Sequence, residues 1–99
     1  MPETEGQPVR RIVRIRLKSG HAAEACAALV ELARATREEH QCREFGFYKA
    51  LDDDHSVILI EDFATPAALE AHMQQPHTQA FFLRGLTEEI AAIPRDWMS

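Results

Sequence analysis

Between Val9 and Lys18 the apolar residues Val9, Val13, Ile15 and Leu17 share one parity, and the basic residues Arg10, Arg14, Arg16 and Lys18 share the other. Successive side chains of a strand point to opposite faces, so this period of two specifies a strand with one buried face. A register slip of one residue would exchange the two faces, which makes the pattern a strong constraint on pairing. Ile12 breaks the alternation. An apolar residue among the cations predicts that the second face is also partly covered, with another subunit as the candidate cover.

After Ser19 and Gly20, "HAAEACAALVELARATREEH" is alanine-rich and free of breakers. Cys26, Leu29, Val30 and Ala33 have the spacing of one helical face, and Arg34, Arg37, Glu38 and Glu39 read as its solvated end. Arg43 to Leu51 and Ser56 to Ala64 are rich in aromatic and aliphatic residues and flank the polar "DDDH", which predicts a hairpin. Three adjacent aspartates cannot alone surround a cation with six oxygens, so that tip reads as a solvated turn. Thr65 followed by Pro66 starts a second helix. Pro76 interrupts it, and a third helix is expected from about His77 to Ala91, with Phe82, Leu83, Leu86 and Ile90 on its apolar side and Pro94 as its stop. A last strand beginning near Ile93 would complete an α+β chain of order β-α-β-β-α-α-β, a ferredoxin-like fold with a four-stranded antiparallel sheet and helices on one face. The uncovered face then calls for a partner, and a homodimer is expected.

The chain has 99 residues, enough for one domain over residues 9–99 behind a loose tail, Met1 to Pro8. Eleven basic against 16 acidic residues leave a net charge of -5, which argues against a nucleic-acid partner. The longest aliphatic run, Val57 to Ile60, is far short of the roughly 20 residues of a membrane span, and "MPETEGQPVRR" has no apolar stretch behind its charges. A cytoplasmic protein is therefore expected, with Cys26 and Cys42 as free thiols.

The stretch "EAHMQQPHTQAFF" carries most of the chemistry. On a helix begun at Thr65, His72 shares the inward face with Leu69, so its imidazole is either a core-edge group met by a backbone carbonyl or by Glu61, or a base. His77 falls on the first turn after Pro76, where it caps the helix, packs on the surface or contacts a bound substrate. Five residues along a helix correspond to about 140 degrees of rotation, and Pro76 bends the path further, so paired metal binding by His72 and His77 is not expected. Phe63, Phe81 and Phe82 are candidates for an apolar wall around a flat ligand, with Arg84 positioned to orient an anionic one. Cys42 lies near His40 in sequence, and a buried thiol rather than a nucleophile is expected. No glycine-rich phosphate loop and no Gly-x-Ser-x-Gly elbow is present.

The element order, together with "EEHQCREFGFYKALDDDHSVILIEDFATPAALEAHMQQPHTQAFF", resembles the antibiotic biosynthesis monooxygenase domain family, small dimeric α+β barrels that include cofactor-free quinol and anthrone monooxygenases. The family's Glu-x-Gly-Cys turn, strand tyrosine, Glu-x-Trp strand end, Ala-His helix and Ser-Pro-His step look like Cys42, Phe45, Glu61 with Phe63, Ala71 with His72, and Pro76 with His77. Gln41 replaces the glycine, Phe45 the tyrosine and Phe63 the tryptophan, which keeps an apolar wall but removes a hydroxyl and an indole N–H. The resemblance implies a monooxygenase acting without cofactor on a small electron-rich aromatic or quinol, with His72 as base and Glu61 fixing its tautomer. An isomerase using the same pocket, or a non-catalytic ligand-binding or structural dimer, are the alternatives. The haem-degrading branch places its iron-ligating histidine at what looks like Phe82, so haem is not expected.

Overall fold

The computed structural model describes residues 6–94. Seven elements follow in the expected order: β1 (Val9–Leu17), α1 (Ala22–Arg37), β2 (Cys42–Lys49), β3 (Ser56–Phe63), α2 (Pro66–Met73), α3 (Pro76–Leu83) and β4 (Thr87–Ala92). The strands form one sheet in the order β2-β3-β1-β4, with antiparallel pairing throughout, the ferredoxin-like arrangement.

The alternation in β1 places Val13, Ile15 and Leu17 in the core, where the register sets Val13 opposite Leu59 and Ile15 opposite Val57. Phe45, Phe63 and Leu86 complete the same layer. α1 covers it through Ala25, Ala28, Leu29, Leu32, Ala33 and Thr36, a stripe at helical spacing. This stripe is rotated from the expected face: Leu29 and Ala33 are on it, but Val30 is half exposed and Cys26 only partly buried. Alanines at 25, 28 and 33 are short enough for the helix to lie close to the sheet, and a hydropathy pattern that weights large residues misses them.

The hairpin tip is a turn, as expected. Asp53 accepts from the His55 N–H at 2.9 Å and from the Ser56 hydroxyl at 2.8 Å. The His55 amide, then the Ser56 hydroxyl, hold its pKa below the ordinary carboxylate value. One of the three aspartates is thus committed to closing the turn.

The expected long third helix is not found. α3 ends at Leu83, Arg84 is its C-cap, and Gly85 takes the left-handed conformation at φ 62°, the arrangement that ends many helices. Leu86 is buried in the core, and its carbonyl accepts from Lys18 N at 2.9 Å. Residues 87–92, read as helix from the spacing of Phe82, Leu86 and Ile90, instead pair with β1, with Ile90 opposite Ile15. The last strand therefore precedes Ile93, whose N–H extends the pairing by one bond to the Ile12 carbonyl at 2.8 Å. Trp97 lies outside the described residues.

The face of the sheet away from the helices holds Ile12, Ile58 and Ile60 between Arg10, Arg14, Arg16 and Asp62, each only partly buried or exposed. Tyr48 lies on this face over Gly46: a Cβ built at Gly46 would come within 3.0 Å of the Tyr48 hydroxyl, so the absent side chain makes room for the ring. No described helix is long and apolar enough to cross a membrane.

At the start of α2 the Thr65 hydroxyl accepts from Ala68 N at 3.1 Å, with Pro66 in the first turn. Thr65→Ala is expected to destabilise the domain by about 1 kcal/mol, as for other N-caps. For a domain of this size that lowers Tm by roughly 4–8 °C in a calorimetric scan, and an unchanged Tm would show that the cap contributes nothing.

Candidate functional site

Three elements converge on one carboxylate. α1 runs out at its C-cap Glu38, and the chain turns through Glu39, whose N–H bonds the Thr36 carbonyl at 2.9 Å. His72 sits in the last turn of α2 on the side facing the sheet. Gln75 is extended (ψ 144°) because a residue before proline is pushed out of the helical region, and Pro76 then opens α3 on a new axis. His77, in the first turn of α3, is thereby swung back toward His72.

The result is a hub. Glu39 Oε2 lies 2.9 Å from His72 Nδ1 and 2.6 Å from His77 Nε2, and the two rings are 6.2 Å apart between centroids. Thr78 Oγ1 is 3.4 Å from His72 Nδ1. His72 is 3% exposed, its ring wedged against Phe63 at 5.0 Å and Phe45 at 5.2 Å. His77 is a quarter exposed and Glu39 about an eighth. The ligating atoms of Glu39, His72 and His77 all lie within 4.8 Å of one another. Paired metal binding by His72 and His77 is not expected from their separation along the chain, yet the break at Pro76 brings the two rings onto one carboxylate instead of parting them.

A cleft of about 470 Å³ opens beside the hub, lined among others by Glu39, His77, Cys42, Phe63, Ala71 and Gln75. Its volume lies within the range of small-molecule sites. His72 does not line it; behind Phe63 and Glu39, it supports the wall rather than forming it.

Glu61 is not the partner of His72. Its carboxylate is taken by Arg11, at 2.6 Å from Nη2 and 2.8 Å from Nε, in a pair that is almost fully buried on the Glu61 side. In the sheet Glu61 stands opposite Phe45, with Phe63 two residues along, so rings rather than the carboxylate meet the imidazole. Of the expected wall, Phe63 is at the site. Phe81 is buried and stacks edge-on with the half-exposed Phe82, and neither lines the cleft. Arg84, at the end of α3, is held by Glu24 of α1 at 3.2 Å and stands apart from the hub. The residue missed is Glu39. The stripe that buries Leu29, Leu32 and Thr36 continues to position 39 at the next i, i+3 step, and an acid at an inward position was the available signal.

Burial first, and then the carboxylates of Glu39 and Glu61, raise the Cys42 pKa above that of an ordinary thiol. A raised pKa leaves less thiolate at a given pH, so Cys42 is no ready nucleophile. With iodoacetamide at pH 8 it is expected to alkylate more slowly than a free cysteine, the difference vanishing in denaturant. Peptide mass spectrometry reads this, and equal rates in the folded protein would contradict it.

A family description, antibiotic biosynthesis monooxygenase, matches residues 8–83. Among solved structures, PA3566 from Pseudomonas aeruginosa is 26% identical, covers 88% of this chain and 90% of its own, and superposes with a TM-score of 0.81. Rv0793 from Mycobacterium tuberculosis is 27% identical over 88% of this chain and 91% of its own, with a TM-score of 0.78. A structure described as an antibiotic biosynthesis monooxygenase, 18% identical over 86% of this chain and 95% of its own, shares the fold at a TM-score of 0.75. Among curated proteins none matches the chain.

Proposed function

Because the chain belongs to the antibiotic biosynthesis monooxygenase family, we propose that it is a cofactor-independent monooxygenase of a small quinol or anthrone-like aromatic, bound in the cleft beside His77. The observation that carries this reading is the shared Glu39 carboxylate, which supports one histidine at the cleft and one behind it. Dioxygen is a triplet and reacts slowly with closed-shell molecules, so without flavin or metal the substrate itself must become electron-rich by losing a proton. His77 accepts that proton. Its Nε2 is fixed on Glu39, which leaves Nδ1 for the substrate and offsets the charge of the imidazolium as it forms. His72, sealed behind Phe63, holds Glu39 from the other side and so orients the base at one remove.

The balance closes on the substrate. An activated CH₂ and O₂ give a carbonyl and water, all four electrons coming from the organic molecule; a quinol CH converts to a hydroxyquinone in the same way. Phe63, buried behind the cleft, backs the site with hydrocarbon, and a ring that fills the cleft excludes water there, which protects the anion and the radical pair formed with oxygen. Two imidazoles on one carboxylate also suit a proton shuttle between two carbons, an isomerisation that uses no oxygen.

Oxygen uptake separates these readings. With a panel of quinols and anthrones the protein is expected to consume one O₂ per product without releasing peroxide, and His77→Ala to lower kcat by about 10²–10⁴, the contribution of a positioned base. A compound that binds and is turned over with no oxygen consumed would favour isomerisation; binding without turnover would leave a ligand-binding protein.

The open face of the sheet supports a homodimer. Ile12, Ile58 and Ile60 form an apolar strip flanked by charges, with Tyr48 lying beside it. Light scattering is expected to give a mass near twice 11.2 kDa, and Ile60→Glu to return it to that of one chain. A wild-type mass of one chain at micromolar concentration would overturn the pairing.

A further inference from the structure

We propose that Glu39, His72 and His77 also bind a single divalent transition-metal ion, Zn²⁺ above all, and that its binding takes the base out of use. The regulatory half rests on the proposed role of His77; the binding half stands on geometry alone.

Two imidazole nitrogens and one carboxylate oxygen make up a donor set that zinc accepts in sites keeping an open position. A tetrahedral ion with ligands at about 2.0–2.1 Å needs donors roughly 3.3 Å apart. Here Glu39 Oε2 stands 2.9 Å and 2.6 Å from the two nitrogens, so those two edges must widen by roughly half an ångström. The two nitrogens, within 4.8 Å of each other, must settle at the same roughly 3.3 Å spacing. The freedom to widen lies on the right residue. His72 is locked between Phe45 and Phe63, whereas His77 is a quarter exposed at the mouth of the cleft and can move outward.

The present contacts prepare the site. Each imidazole already aims one nitrogen at the same oxygen, so an ion replaces shared protons without a change of rotamer. His72 would offer Nδ1 and His77 Nε2, the ring proton that faces Glu39 moving to the other nitrogen of each imidazole. The remaining coordination position faces the cleft, where water or an anionic ligand would complete it. Divalent affinities place Zn²⁺ above Fe²⁺ at a given nitrogen and oxygen site, so zinc is the expected occupant when both are present.

The consequence for the reaction is direct. With an ion on His77 Nε2 the ring proton sits on Nδ1, so that nitrogen has no lone pair for the substrate's proton, and Glu39, tied to the ion, no longer offsets an imidazolium charge. Zinc should therefore inhibit, and a chelator should restore activity.

Isothermal titration of the full chain with Zn²⁺ is expected to give one ion per chain with micromolar or tighter Kd, and Co²⁺ as a stand-in to give the visible absorption of a low-coordinate site. His77→Gln, at the most exposed of the three positions, and Glu39→Gln should each weaken Zn²⁺ at least tenfold while circular dichroism shows the fold retained. His55→Ala, on the hairpin, should leave it unchanged. No saturable binding at 100 µM Zn²⁺, or equal binding by the wild type and His77→Gln, would overturn the site and leave the oxygenase reading intact. Oxygen uptake abolished by one equivalent of Zn²⁺ and recovered with EDTA would establish the regulation. Uptake that persists in the zinc-loaded protein, or that requires an added metal such as Fe²⁺, would overturn it, and the second result would also overturn cofactor independence.

Discussion

The carboxylate of Glu39 is the tie on which the helical layer depends. It joins the end of α1 to α2 through His72 and to α3 through His77, and no other described side chain bonds to more than one of these two helices from outside them. α2 and α3 are only eight residues each, too short to be stable alone. Hydrogen bonds to a charged group contribute roughly 1.5–3 kcal/mol each when little exposed, comparable to the packing of one apolar side chain. Burying the carboxylate without donors would be costly, which is why one acid and two histidines have to occur together.

The sheet divides the molecule into two chemical regimes. On the helix side, burial is complete enough that Glu61 needs Arg11, and His72 needs Glu39, to remain there. On the other side, the same strands present three isoleucines and a tyrosine among arginines, a mixture that water tolerates and the proposed second copy would cover. Gly46 serves this second face: it is where Tyr48 lies flat, so the tyrosine adds apolar surface without standing clear of the sheet.

How much of this was legible in the sequence follows from the range over which each signal acts. β1 was, because strand alternation is local and unambiguous over nine residues. The start of α2 was, because a threonine cap and a following proline act within one turn. The end of α3 was not: Phe82, Leu86 and Ile90 keep a helical spacing, and the choice is made by Gly85 in the left-handed region and by pairing with β1, a contact more than seventy residues away in sequence. Within the site, His72 was visible from its position on α2. Glu39 was hidden by its neighbours Glu38 and Arg37, which made an inward acid look like part of a solvated helix end. Its partnership with two histidines from more than thirty residues on is a tertiary fact that no local spacing encodes.

The substitutions that set this chain apart from the pattern it resembles concentrate its polar chemistry. With Phe45 and Phe63 where a tyrosine and a tryptophan are usual, the rings around His72 offer no hydrogen-bond donor, and both pack against the imidazole as apolar surfaces. The rings therefore seal the imidazole without offering a polar contact, and under the proposed reading the orientation of a ligand falls to the groups at the rim: His77, Glu39 and the side chains of Gln41 and Gln75. Phe63 is buried behind the cleft and leaves little ring surface open to a ligand, so the cleft presents its polar groups at the mouth and hydrocarbon only at its base.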